Sequence, residues 1–320
     1  MATNKDVKPQ NPIINRSHPL ARGLVGAWAF QDGGGSVVRD VSGHGNDGGI
    51  SGATWVQGQF GTNLNFVTGN YVDLGTSSSV DLSGNATFSA WIRPVDDGRY
   101  LQKSNPVNAA PYIQYAIQRY SSKWLITTTC GGVRTDTYAL VGTSPAGIWS
   151  HVTGVYDSGL VKIYVNGKLE GTEVKAGGLD SFPTWPLMLC KTNYNSSSWA
   201  FGRGDVDDVR LWKRALTNTE IVNLYQDSWA LYRPARPIIK YFYAASAGVP
   251  HSPQSDIILL DGQSAISTTY PLAAEGLIVI EERLLRRQRP IAGDRLVLTD
   301  PIKIQQGKLA EIGRASCRER

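Results

Sequence analysis

Residues 149 to 173, running from Trp149 through His151, Tyr156 and Tyr164 to Glu173, constrain the fold more than any other stretch of the chain. Val152, Gly154 and Tyr156 alternate with Thr153 and Val155. Lys162 and Tyr164 then alternate with Val161, Ile163 and Val165. A period of two marks strands whose side chains project to alternate faces. Asp157-Ser158-Gly159 separates the first two runs and Asn166-Gly167 the next. Both Asn and Gly tolerate the positive φ of a two-residue type I′ hairpin. The stretch therefore predicts three antiparallel strands joined by two tight turns.

The same texture runs through the first two thirds of the chain. Tyr71 to Leu74, Ala86 to Arg93, Tyr112 to Gln118, Trp124 to Thr129, Asp136 to Val141 and Val206 to Trp212 read as strands set off by Gly, Pro, Asn and Ser. Gly33 to Gly35 and Gly43 to Gly49 read as loops framing a short strand at Val37-Val38. Thr217-Asn-Thr-Glu220 is a capping box, followed by Ile221, Leu224 and Tyr225 at helical spacing, and predicts one short helix. The fold class is all-β: a two-sheet antiparallel β-sandwich of jelly-roll type with one short C-terminal helix, then a small β appendage.

Several landmarks fall in a fixed order. Gly23-Leu-Val-Gly-Ala-Trp28 opens the series, followed by Asp40-Val-Ser-Gly43-His-Gly-Asn46-Asp-Gly48. Gly61 to Phe66, Tyr71 to Gly75, Phe88 to Pro94, the Trp149–Glu173 meander and Gly204-Asp-Val-Asp207-Asp208-Val-Arg-Leu-Trp212 complete it. Together they resemble the laminin G-like, concanavalin A-like lectin/glucanase jelly rolls over roughly 210 residues. The entry Ser17-His18-Pro19-Leu20 resembles such domains encoded in phage genomes, often beside tail or virion genes. The resemblance implies the sandwich, and a fold alone does not give a function.

The resemblance divides the chain into four. Residues 1–14 are expected as a flexible arm and 15–232 as the jelly roll. Residues 233–311 read as a truncated β-rich appendage, with strands expected at Ile238–Ala245, Asp256–Leu260, Gly276–Glu281 and Arg295–Thr299. Residues 312–320 resemble one reading frame of a common sequencing adapter, as in a metagenomic open reading frame. All nine Trp lie between Trp28 and Trp229, so the aromatic core belongs to the second part. That part holds 17 Lys and Arg against 17 Asp and Glu; the net charge of +5 therefore sits at the ends and gives the domain no basic field for nucleic acid. No run approaches the roughly 18 apolar residues of a membrane span, and Met1 to Gln10 has no apolar leader. The expected location is a virion, or an extracellular or cell surface.

Catalytic chemistry finds little support. Retaining glucanases on this fold place two carboxyls about 5 Å apart on one strand face, yet no Glu precedes Glu170. Asp96-Asp97 lies in a turn. Asp207-Asp208, on the closing strand, reads as structural: one carboxylate holds backbone amides or helps a metal, and the other faces out. The four His are scattered, and His151 reads as a core residue. No nucleophile elbow, P-loop or metal-spaced Cys set is present. The chain is expected not to be an enzyme.

Calcium is the cofactor the resemblance implies, held between the Asp40–Gly48 loop and the acidic closing strand. Asp40, Asn46, Asp207 and Asp208 are the candidate ligands, because Ca²⁺ takes six to eight oxygens. The alternative is that Asp40 and Asn46 bond only their own loop. Sugar recognition needs exposed aromatic rings beside polar groups. Tyr194, Trp199, Asn193, Asn195 and Tyr120 are the candidate ligand-binding residues, with Tyr112, Trp124 and Trp185 in neighbouring stretches. The expected role is a non-catalytic carbohydrate-binding or adhesion module meeting a cell-surface glycan. The alternatives are a structural or decoration domain binding other virion proteins, and, third, a glycoside hydrolase.

Overall fold

The structure is a computed structural model that describes residues 8–107, 109–139, 144–192, 201–233, 254–260 and 265–271. The first seven strands are β1 (Ile13–Ile14), β2 (Leu24–Trp28), β3 (Val37–Val38), β4 (Gly48–Ser51), β5 (Thr54–Gln57), β6 (Thr62–Phe66) and β7 (Tyr71–Asp73). Next come β8 (Ala86–Pro94), β9 (Gly98–Ser104), β10 (Ile113–Tyr120), β11 (Lys123–Cys130) and β12 (Val133–Tyr138). The meander forms β13 (Ser150–Asp157), β14 (Leu160–Val165) and β15 (Lys168–Val174), followed by β16 (Leu187–Leu189) and β17 (Gly204–Trp212). Helix α1 spans Asn218–Gln226, and β18 (Tyr232–Arg233) closes the unit.

One sheet runs β12-β11-β10-β9-β16-β7-β4-β3. The other runs β15-β14-β13-β8-β17-β6-β5, with β2 also on β17. All named pairings are antiparallel, as expected. The meander turns take the predicted geometry: Ser158 and Gly159 have φ of 48° and 92°, Asn166 and Gly167 of 51° and 76°. The second unit, from Arg236, contains β19 (Gln254–Leu260) paired with β20 (Ala265–Pro271). β19 contains the expected Asp256–Leu260 strand; the other three strands expected in the appendage lie outside the described residues.

Three of the expected boundaries need correction. Gly48–Ser51 is a strand, not part of a loop. Gly98–Ser104 is a central strand that the sequence did not announce, because polar Arg99, Gln102, Lys103 and Ser104 are all buried in it. The described part of the arm is docked: Ile13 and Ile14 pair with Arg233 and Tyr232, and Lys8 is fully buried. Burial of that lysine requires a partner, since an unpaired ammonium inside a protein is costly.

Two apolar layers hold the unit together. Between the sheets lie Trp28, Phe66, Phe88, Tyr100, Tyr115, Trp124, Ile126 and Leu211. Outside the second sheet, Leu20, Trp91, Tyr164, Trp212, Ile221, Leu224 and Trp229 form another cluster. Helix α1 supplies Ile221 and Leu224 to it, each worth about 1.5–3 kcal/mol on full burial. Its capping box forms as predicted: Thr217 Oγ1 accepts from the Glu220 amide at 3.3 Å, and Glu220 Oε2 accepts from the Thr217 amide at 2.9 Å. Burial opposes ionisation of Glu220, but hydrogen bonds from Arg214 and Thr217 outweigh it and hold the carboxyl below its usual range.

Candidate functional site

Alternation on β10 and β11 decides what the first sheet shows to the outside. Tyr115 and Ile117, with Trp124 and Ile126, point into the core. Ala116, Gln118 and Tyr120 on β10, and Leu125 and Thr127 on β11, must then occupy the opposite face. Cross-strand register sets Gln118 against Leu125 and Leu125 against Tyr138. Gln118 and Tyr138 thus flank a buried Leu125, and Tyr120 lies two residues along β10 from Gln118 on the same face, about 12 Å from Tyr138 by two strand spacings and two residue rises. Tyr120 is 62% exposed and Tyr138 39%. Partial burial, then the Asp136 carboxylate and Tyr120 itself, push the Tyr138 hydroxyl above its ordinary pKa.

Beside the tyrosines a polar ladder crosses four strands. Arg99 Nε donates to Gln118 Oε1 at 3.1 Å, Gln118 Nε2 to Thr127 Oγ1 at 2.6 Å, and Thr127 Oγ1 to Asp136 Oδ1 at 2.6 Å. Every donor points the same way, so each bond polarises the next toward the carboxylate. Asp136 also meets Arg134 at 3.3 Å, and both side chains are about a third exposed. The ladder therefore fixes an accessible acceptor and an accessible donor beside two aromatic faces. Such a surface can stack on an apolar ring face and exchange hydrogen bonds with ring hydroxyls.

Of the candidate ligand-binding residues, Tyr120 lies in this patch. Asn193, Tyr194, Asn195 and Trp199 lie outside the described residues. Thr192, immediately before them in the chain, receives a hydrogen bond from Gln102 Nε2 at 2.6 Å. Trp124 is not available to a ligand: it is buried edge-on against Tyr100 in the core. Trp185 is likewise buried, stacked on Phe182. Tyr138 and the ladder were missed. Their signal was the alternation of polar Thr127, Asp136 and Gln118 with core residues, which gains meaning only once strand register is known.

The acidic residues expected to share a calcium ion are otherwise engaged. Asp40 Oδ1 accepts from the amides of Ala27 and Ser42 at 3.0 and 2.8 Å. Its Oδ2 accepts from Ser42 Oγ, the Asn46 amide and Asn46 Nδ2 at 2.8, 3.0 and 3.0 Å. Asn46 Oδ1 accepts the Ser79 hydroxyl at 2.6 Å. These are donors where a cation would need bare oxygen, and the pattern is the loop's own bonding.

On β17 a bulge between Asp207 and Arg210, with Asp208 at φ 45°, turns two consecutive carboxylates to the outer side of the sheet. Neither faces solvent; both are 1% exposed. Lys8 Nζ meets Asp207 Oδ1 at 2.5 Å and Thr62 O at 2.5 Å. Arg210 Nε donates to Asp208 Oδ1 at 2.7 Å, and Tyr232 donates to the same oxygen at 3.2 Å. Burial pushes Asp207 up to about 7 against the pull of Lys8, and raises Asp208 against that of Arg210. Two cations balance two anions in a sealed layer. The four residues do not fit a calcium cage, and among the described residues no group of three or more His, Cys, Asp or Glu is placed to hold a metal. His151 is packed in the same layer against Trp91, as a core residue.

Residues 66–222 match the family model described as the concanavalin A-like lectin/glucanases superfamily, laminin G type. The match falls within the first unit, whose two antiparallel sheets form a jelly-roll sandwich. No curated protein matches the chain. Among solved structures, domain 4 of AbnA, a GH43 extracellular arabinanase from Geobacillus stearothermophilus determined with arabinotriose, is similar with a TM-score of 0.51 and 16% identity. That match covers 63% of this chain and 98% of that domain. The binding domain of Paraclostridial Mosquitocidal Protein 1 gives 0.53 at 16% identity, covering 92% of this chain and 74% of its own. A botulinum neurotoxin type C structure, titled for cell entry through two ganglioside molecules, gives 0.51 at 15% identity, covering 64% and 51%. At such identities the likeness is one of fold. No helix among the described residues is long and apolar enough to cross a membrane.

Proposed function

We propose that the jelly roll is a non-catalytic carbohydrate-binding or adhesion module, carried by a virion- or tail-associated protein or by a cell-surface protein. The observation that carries this reading is the exposed Tyr120–Tyr138 pair beside the Arg99–Gln118–Thr127–Asp136 ladder. Two rings spaced across a flat sheet face suit successive units of a neutral saccharide, and the ladder supplies acceptor and donor to its hydroxyls. The fold has precedent in that use, since the arabinanase domain was determined with arabinotriose and cell entry of the type C neurotoxin depends on interaction with two ganglioside molecules. Hydrolysis is disfavoured because Asp207 and Asp208 are sealed and ion-paired.

A decoration role toward other proteins has one observation in its favour: Val133 on β12 and Val174 on β15, one edge strand of each sheet, stand 63% and 79% exposed. A glycan array probed with the full chain and with Tyr120→Ala/Tyr138→Ala separates the two. Glycan binding lost in the variant supports the module. A folded wild-type chain that binds no glycan leaves the decoration reading.

A further inference from the structure

A second pocket lies on the side of the other sheet, where the chain enters β2 and leaves β17. Its walls are Arg16, Ser17, His18, Pro19, Arg22, Arg214 and Glu220, around about 420 Å³. Space of this order holds one saccharide unit. The chemistry of the wall is one-sided. Glu220 is the pocket's carboxylate, and its charge is spent: Arg214 Nη1 and Nη2 grip it at 2.9 and 2.6 Å, with Thr217 on the same side chain. Arg214 is spent as well, its remaining bonds going to the carbonyls of Arg22, Pro19 and Ala215 at 2.7, 3.2 and 3.4 Å.

What remains free is donors. Arg16 gives one bond, to Ser42 O at 2.6 Å, and is otherwise exposed. Arg22 is exposed, and among the described residues neither arginine belongs to an ion pair. His18 Nδ1 accepts the Leu20 amide at 3.2 Å, which leaves Nε2 to carry the ring proton. Burial, then the charge of Arg210, lowers the His18 pKa, so the ring is a neutral donor. Ser17 adds a hydroxyl.

We propose that this pocket is a subsite for the oxyanion of an acidic saccharide, a sulfate or a uronate carboxylate held between Arg16 and Arg22. Guanidinium groups match such oxygens in pairs, and both partners are charged. The oxyanion half of the assignment rests on the pocket alone; the saccharide half rests on the binding-module reading. The site is separate from the tyrosine face, which lies on the other sheet.

The test is calorimetric titration of the full chain with inorganic sulfate, a heparin-derived tetrasaccharide, trigalacturonic acid and a neutral tetrasaccharide, at low and high salt. One or both acidic saccharides should bind, more weakly at high salt as the charges are screened. Arg16→Gln/Arg22→Gln should weaken acidic binding on the order of tenfold or more, while Arg22→Lys, which keeps the charge but loses the paired fork, should fall between that variant and wild type. Binding of the neutral saccharide should depend on Tyr120 and Tyr138 and not on the arginines. The proposal fails if no acidic saccharide binds, if only inorganic sulfate binds, or if the folded double variant binds the acidic probes as tightly as wild type. Loss of neutral binding alone would count against the tyrosine site and leave this one standing.

Discussion

Gly171 on β15 lies so close under Tyr138 of β12 that a Cβ at position 171 would collide with the Tyr138 carbonyl oxygen. The two edge strands belong to different sheets, and this glycine lets them meet. Gly171→Ala should displace β12, lowering stability by about 1–3 kcal/mol, the usual cost of overpacking. Because Tyr138 moves with the strand, saccharide affinity should fall as well. Denaturant unfolding and a glycan titration on the same sample check both; unchanged values would show that β12 yields freely.

Lys8 is the counter-ion of a carboxylate buried on β17. Lys8→Gln should cost about 3–5 kcal/mol, the range for stranding one partner of a buried pair. The sign of the pH effect follows from Asp207, whose carboxyl is pushed by burial up to about 7, above its ordinary 3.8. Keeping it ionised weakens the fold progressively as pH rises from about 4 to 7, and removing Lys8 deepens that loss. The variant should therefore lose more stability at pH 8 than at pH 5. Lys8→Met/Asp207→Leu should recover most of it, measured by urea unfolding.

His151 behaves in the opposite sense. Burial, then the charge of Arg210, lowers its pKa from 6.5 to about 3. Its contribution is complete above pH 6.5 and is lost as pH falls toward 3, because only the unfolded chain binds the proton. By linkage the loss at pH 5 is about 2 kcal/mol. His151→Phe, in a site walled by Trp91 and Tyr225, has no proton to take up. The stability of the variant relative to wild type should rise by that amount between pH 7.5 and pH 5. A constant difference would show that His151 titrates normally.

The helix cap offers a local test. Thr217→Ala removes the oxygen that accepts the Glu220 amide and should cost about 1 kcal/mol. Thermal unfolding followed by circular dichroism measures it. Since Glu220 keeps Arg214, the loss should be confined to α1 and leave saccharide binding intact.

What the sequence disclosed was what one strand or one turn records by itself. Val152 to Val165 alternate cleanly and Asn166-Gly167 permits only a tight hairpin, so the meander could be placed to the residue. The capping box was equally local. β9 left no such trace, because Arg99, Gln102 and Lys103 are polar side chains buried by partners far away in the sequence, Gln118 on β10 and the loop residues Thr192 and Trp185. The site was half legible for the same reason. Tyr120 stands at an exposed strand end, but Tyr138 becomes its neighbour only through Leu125, across two hairpin registers. The closing carboxylates were half legible: one does hold a backbone amide, Asp207 Oδ1 accepting from the Asp208 amide at 2.8 Å, but neither faces out, because a bulge at Asp208 breaks the alternation that reading assumes.

The pairing of Ile13 with Arg233 and of Ile14 with Tyr232 has a mechanical meaning. The chain enters and leaves the jelly roll at the same end of a two-residue ribbon. A pull along the polymer at these two points would open that ribbon one rung at a time, as a zip opens, and would load no strand of the sandwich in shear. Because Lys8 precedes the ribbon, a pull arriving along the arm would first draw it out from beneath Trp229 and then part the rungs, leaving the tyrosine face unaltered. For a binding module this sets the order of failure: the tether lengthens before the grip is lost.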